Sequence, residues 1–549
     1  MKIFYLLLIT FFTGTINAQV SLLGSIDNTP VREQQVVESI TATIAYQGYD
    51  ETQPFFGQGE YEIFLDNTTG ILDKPIIILD GFDPGDRRDI NGLYNSLEFD
   101  GQNMADILRD EGFDIVVLNA PTYISEGVEI DGGGDYVQRN AMVLIELINF
   151  LNTEKVGEEQ LVVLGPSMGG LIARYGLTYM EQNSFDPDTR LYLSFDAPHK
   201  GANVPMSIQY LVNYLAVQSG DPLAQQAVDQ LLNSAAGKEM LVDHLNAHLL
   251  PGSDFEQDPA SVLPAGAPGF RDAFQAELDA LGFPQNVRNI AMVNGSGLGT
   301  TIGTPGMQIV DTTLDLGSNL TAEVELHFMP PASQTIEVTR FDTFFTVIPV
   351  QTFSATGAAT AETDGPDSAP GGISNISNAL GDGTGNPLIA AFIAALQQDE
   401  FSFIPLISSL AIENESDWYA APDLSNSPFA NTFIPDVNEA HVSVTQESAQ
   451  FAIDEIRNGA LNTQDFTTED TFKLLKNPVQ NIITVGVNQS LRVGQITTNL
   501  FSVEGKKLSS QVFNTDTTQI SIEQNLVAGI YILRVSDAKS AKSFKVIVQ

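Results

Sequence analysis

Between residues 70 and 200, short and almost wholly apolar runs alternate with longer stretches that are apolar along one face. "PIIILDGF" predicts a buried strand and "NMADILRDEGF" a helix that stops at Gly112. "DIVVLNAP" predicts the next strand, and "DYVQRNAMVLIELINFLN" a long amphipathic helix with Asp135 as its cap. "QLVVLGPS", "MGGLIARYGLTYMEQ" and "RLYLSFDAP" repeat the order strand, helix, strand. Strands without polar alternation are buried on both faces. Their alternation with helices implies an α/β fold, a doubly wound and mostly parallel sheet.

After Gly201 the period changes. "MSIQYLVNYLAV" and "LAQQAVDQLLNSA" are helical, and a helical excursion over about 203–285 predicts a lid above the carboxyl ends of the strands. "NIAMVNGSG" returns to strand. "AEVELHFM", "QTIEVTRF" and "FFTVIPVQTF" predict three strands of a β-rich insertion over about 303–386. Its last part, Thr356 to Asn386, is rich in Gly, Ser, Thr and Asp and predicts a mobile surface loop. "PLIAAFIAALQQ", "FSFIPLISSL" and the helix "VTQESAQFAIDEI" close the larger domain.

A chain of 549 residues exceeds one hydrophobic core. Charge locates a boundary. Lys473 to Gln549 holds nine Lys/Arg against four Asp/Glu, whereas the whole chain carries a net −44. The sign changes near 470, after the polar linker "NGALNTQDFTTED", which divides a larger domain of residues 19–465 from a small one of 472–549. Residues 1–18, with Lys2, an apolar run and small residues ending at Ala18, have the grammar of a secretory signal peptide. The chain has no cysteine, which excludes disulfides and thiolate metal sites. Its acidity argues against nucleic acid as a partner, because phosphates would be repelled.

"LVVLGPSMGG", Leu161 to Gly170, drives a strand into a turn around one hydroxyl. Gly165-Pro166-Ser167-Met168-Gly169 fits G-x-S-x-G, the nucleophile elbow, whose glycines leave room for a serine held at positive φ. A serine hydroxyl needs a base, and the chain has five histidines. His244 and His248 lie four apart on a helical stretch with no third metal ligand nearby, and read as surface positions. His327 lies within a strand and reads as structural. His441, in "NEAHVSVTQE", precedes the last helix of the domain and is the candidate base.

Together, residues from about 70 to 460 resemble the bacterial serine lipases and esterases of the α/β-hydrolase superfamily, on the elbow, the "DGF" loop, "APHKG" and "NEAHV". The resemblance implies ester hydrolysis through an acyl-enzyme, with Ser167 as nucleophile and His441 as base. It implies an oxyanion hole from the N–H groups of Phe82 and Met168, with Asp80 standing where those enzymes carry a histidine. His199, in "FDAPHKG", matches a scaffold histidine. For the acid, Asp196 ends the strand after the elbow helix, where pancreatic-type lipases carry theirs. Asp399 and Glu400 are its rivals, since Phe401 fills the slot most of the superfamily gives to aspartate. No metal or organic cofactor is required, and Asp364 and Asp367 read as solvated charge rather than calcium ligands. A single oxyanion donor after the glycine implies medium or long acyl chains.

"NPVQNIITV", "LFSVEGKKL" and "LVAGIYILRV" resemble the C-terminal sorting domain of the type IX secretion system, a small β-sandwich read by outer-membrane machinery. It implies a secreted or surface-attached protein. Two function classes follow: a secreted carboxylester hydrolase acting on an ester or lipid, or a surface or adhesion protein that keeps the fold without the chemistry. Peptidase, thioesterase and polyester depolymerase stay open on the same fold.

Overall fold

The computed structural model describes residues 36–377 and 387–458, and residues 472–548 apart from short breaks. The expected signal peptide and linker, and the last part of the expected surface loop, lie outside them. The chain divides into two compact units, one ending at Ile453 and the other starting at Asp454.

The first unit is built on an eight-stranded sheet. Its strands are β1 (Glu38–Thr41), β2 (Gln58–Phe64), β3 (Pro75–Leu79), β4 (Asp114–Asn119), β5 (Leu161–Pro166), β6 (Thr189–Phe195), β7 (Arg288–Met292) and β8 (Asn431–Phe433). They lie in the order β1-β2-β4-β3-β5-β6-β7-β8. The pairings of β2 with β1 and β4 are antiparallel, and every pairing from β4 to β8 is parallel. Helices Val137–Glu154 and Met168–Gln182 pack together and bury most of their residues. The central strands are buried on both faces, which is why they read as unbroken apolar runs: Ile77 pairs with both Val116 and Val163, and all three are inaccessible.

Several local expectations need correction. Asp135 does not cap the helix Val137–Glu154; its carboxylate pairs with Arg139, 2.8 Å away, and the Val137 N–H donates to Glu239. His244 and His248 are not at the surface. Both are buried, flanking a single 3-10 turn, with His248 Nε2 2.6 Å from Asp243 and His244 Nε2 2.8 Å from the Leu232 carbonyl. A buried imidazole bonded to a carboxylate or carbonyl has no need of solvent. "FFTVIPVQTF" is not one strand. It holds a hairpin turn at Thr346 (φ 60°) between strands Thr335–Phe345 and Ile348–Ala358. His327 lies in a strand as expected, as the last residue of Leu320–His327 rather than in its middle.

The insertion is a four-stranded antiparallel sheet over Gln308–Ala358. The helix Met206–Tyr214 packs on it, with the Tyr214 and Phe353 rings stacked 4.1 Å apart at 13°. A pair of that geometry contributes about 0.5–1.5 kcal/mol beyond area burial. The expected surface loop is largely ordered structure. Thr356 to Ala358 belong to a strand, Pro366–Ser368 form a buried 3-10 turn, and Gly371–Asn375 form a strand paired with Glu400–Pro405. Asp367 is therefore not solvated; it is 1% exposed and accepts from Asn203 Nδ2 at 3.0 Å and the Met329 N–H at 2.7 Å. Burial pushes its carboxyl up to about 6. Asp364, half-buried, accepts from the Ala332 N–H. Composition misled here because Gly and Ser serve close packing as well as flexibility.

The second unit contains a three-stranded sheet (Phe472–Leu474, Ile482–Val487, Gln519–Glu523) and a four-stranded one (Lys507–Phe513, Ile496–Ser502, Gly529–Ser536, Ala541–Val548). Ile483, Val485 and Ile520 of the first share one core with Leu500, Leu533 and Val546 of the second, as a small sandwich requires.

Candidate active site

Strand β5 lies between β3 and β6 and must give way to a helix within one residue. Ser167 makes that turn at φ 52°, ψ −128°, a conformation that costs a non-glycine residue about 1–3 kcal/mol. Its neighbours hold it. The Ser167 N–H donates to the Phe195 carbonyl at 2.8 Å, and its own carbonyl accepts from Gly170 at 3.0 Å. The flanking glycines are steric necessities, because a Cβ on Gly165 would lie 2.4 Å from the Gly169 oxygen and one on Gly169 2.7 Å from the Asp80 oxygen.

Far along the chain, the backbone of His441 bridges to the strand Gly371–Asn375. Its N–H donates to the Ile373 carbonyl at 2.8 Å, while the Ile373 N–H donates to Glu439 at 2.9 Å. The Phe403 ring meets the imidazole edge-on with centroids 4.9 Å apart. So held, His441 Nε2 lies 2.9 Å from Ser167 Oγ and Nδ1 lies 2.7 Å from Asp196 Oδ2. Asp196 follows β6 at φ 46° and is wholly buried. Its N–H is fixed to the Met292 carbonyl, and its Oδ1 accepts from the Asn294 N–H at 3.2 Å.

Asp399 and Glu400 are elsewhere employed. Asp399 accepts from Ser377 N and Oγ at 2.8 and 2.6 Å, and Glu400 is exposed at the start of its strand. His199 is buried with Nε2 2.8 Å from Ser194 Oγ and rings Phe283 and Phe429 around it, and burial holds it well below the usual imidazole range. A neutral ring wedged there serves packing.

The loop after β3 lies against the nucleophile, since a Cβ on Gly81 would be 3.2 Å from Ser167 Cβ. It carries Phe82, while Met168 opens the elbow helix, whose unpaired N-terminal N–H groups favour negative charge. Asp80 Oδ1 accepts from the Gly81 N–H at 2.8 Å and from Arg88 Nη2 at 2.9 Å. Burial pushes Asp80 up to about 7 against the opposite pull of Arg88.

Three parts of this site escaped the sequence reading. Asn294 ties the acid to the histidine loop, its amide nitrogen donating to Glu439 and to the Ser443 carbonyl, each at 3.0 Å. Phe403 supplies the wall beside the ring. Gly372 lets the acid approach its backbone, because a Cβ there would sit 2.0 Å from Asp196 Oδ2. The signal for it was legible: paired glycines opening a short strand mark a backbone that something must approach.

Residues 476–549 match the family model described as "Secretion system C-terminal sorting domain". No curated protein matches the chain. Among solved structures it is similar to Est1E from Butyrivibrio proteoclasticus, at 9% identity and TM-score 0.22, over 43% of this chain and 74% of that one. It is also similar to the ligand-bound rice cell wall degrading esterase LipA from Xanthomonas oryzae, at 13% identity and TM-score 0.25, over 47% and 74%. Likeness so slight carries no inference about activity. The strand order, the single-residue elbow after β5 and the small terminal sandwich are the chain's own. The larger unit is an α/β fold on a mixed, mostly parallel sheet, and residues 476–549 are a type IX sorting domain, which directs export to the cell surface or the extracellular space.

Proposed function

We propose that the larger unit is a secreted serine carboxylester hydrolase of lipase or esterase type. The observation that carries this reading is the chain of contacts from Ser167 Oγ through the imidazole of His441 to the buried Asp196. Ser167 Oγ attacks the acyl carbon as His441 Nε2 takes its proton. Asp196 holds the tautomer that leaves Nε2 free to accept, and offsets the imidazolium that forms. The N–H groups of Phe82 and Met168 receive the developing oxyanion, each such donor being worth about 3–4 kcal/mol. The imidazolium then protonates the departing alcohol, and water repeats the attack on the acyl-enzyme. A carboxylate 2.7 Å from Nδ1 favours the hydrolase over the reading as an inactive surface protein.

The helices over Met206–Met240 form a fixed roof in this reading. The stacking of Tyr214 on Phe353 and the Thr339 hydroxyl donating to the Ser207 carbonyl support fixture over motion. The exported protein is expected to hydrolyse p-nitrophenyl esters with kcat/KM rising from acetate toward octanoate. Absence of hydrolysis at every chain length would overturn the proposal.

A further inference from the structure

The N–H of Phe82 belongs to the peptide between Gly81 and Phe82, and glycine gives that peptide no intrinsic preference for one orientation. A flip would turn the N–H away from Ser167 and present a carbonyl in its place. The two peptides on either side are both tied to Arg88, one directly and one through Asp80. On one side the Gly81 N–H donates to Asp80 Oδ1, which itself accepts from Arg88 Nη2. On the other, the same Nη2 donates to the Phe82 carbonyl at 3.2 Å. Arg88 is anchored in turn, its backbone N–H donating to Asp83 Oδ2 at 2.7 Å, while the Asp83 N–H donates to the Gly133 carbonyl at 3.1 Å. The Arg88 side chain is 38% exposed, so shortening it leaves no enclosed cavity in the core.

We infer that Arg88 is a positioning residue of the oxyanion hole: by gripping Asp80 and the Phe82 carbonyl at once, it fixes the intervening peptide with its N–H toward the nucleophile. This rests on the hydrolase reading. Asp80 and Arg88 thus act as one clamp. Because the clamp acts on the transition-state oxygen and not on the bound ester, its loss lowers kcat and leaves KM in place.

The test compares wild type, Arg88→Gln and Arg88→Lys in full-chain protein, with kcat and KM for a p-nitrophenyl ester and the thermal unfolding midpoint of each. Loss of one whole oxyanion donor costs about 10²–10³ in kcat, so a loosened donor is expected to cost about tenfold or more. Arg88→Gln is expected to lose that factor with KM within about twofold and an unchanged midpoint. Arg88→Lys, which keeps a cationic donor, recovers part of it. A wild type that is active alongside an Arg88→Gln variant with unaltered kcat overturns the clamp alone. So does a loss carried in KM, or one matched by a fallen midpoint in both variants. A wild type with no esterase activity overturns the hydrolase reading and the clamp with it.

Discussion

Ser167→Ala is expected to abolish ester turnover, lowering kcat by about 10⁴-fold or more, while the thermal midpoint stays at or above that of wild type. The two halves of the result have separate causes. The hydroxyl is the only atom lost, and its partner is the Nε2 of an imidazole whose position is fixed from the backbone and from Phe403, so the fold loses little. The positive φ at position 167 is held by contacts of the main chain, which alanine retains. Stopped-flow or plate assays of hydrolysis beside a melting curve measure both. Activity near wild type would mean that the nucleophile is some other group.

Asp196→Asn is expected to cost about 10⁴-fold in kcat, and Asp399→Asn close to nothing. At position 196 the amide keeps size but can present N–H to Nδ1, which forces the wrong tautomer and leaves Nε2 protonated toward Ser167. Asp399 bonds to Ser377 and Asn375, so its substitution perturbs a turn and not the imidazole. Kinetics on the two variants decide the identity of the acid. Equal losses, or a larger one at 399, would move the acid out of the buried pocket after β6.

Much of this site was legible because it is made of local patterns. The elbow shows in sequence since one strained residue needs glycines at fixed offsets and an apolar strand before it. His441 shows because it is the one histidine just ahead of the last helix of the larger domain. Phe82 shows as the bulky residue after a glycine at a strand end. What stayed hidden depends on contacts between distant segments. No local rule says that Ile373, in a stretch composed like a loop, would bridge to Ala440 and set the height of the histidine. None says which side chain the paired glycines at 371 and 372 make room for, or that Arg88, seven residues past Gly81, would fold back on the Phe82 carbonyl. His244 and His248 misled for a different reason. Their spacing is helical, but the chain makes only a 3-10 turn between them, and the Leu232 carbonyl and the neighbouring Asp243 take up their ring nitrogens. The sheet fared better than the insertion, because continuous apolar strands report burial directly whereas small polar residues report only a lack of bulk.

The central claim is that the bend after β5 exposes an activated hydroxyl, and covalent labelling reads that most directly. The exported protein is treated with a fluorophosphonate and digested, and the adduct is sited by tandem mass spectrometry. A single phosphonylated residue, Ser167, is expected, with no adduct in the His441→Ala variant, because an unassisted serine is too weak a nucleophile to react. An unlabelled wild type, or equal labelling with and without the imidazole, would contradict it.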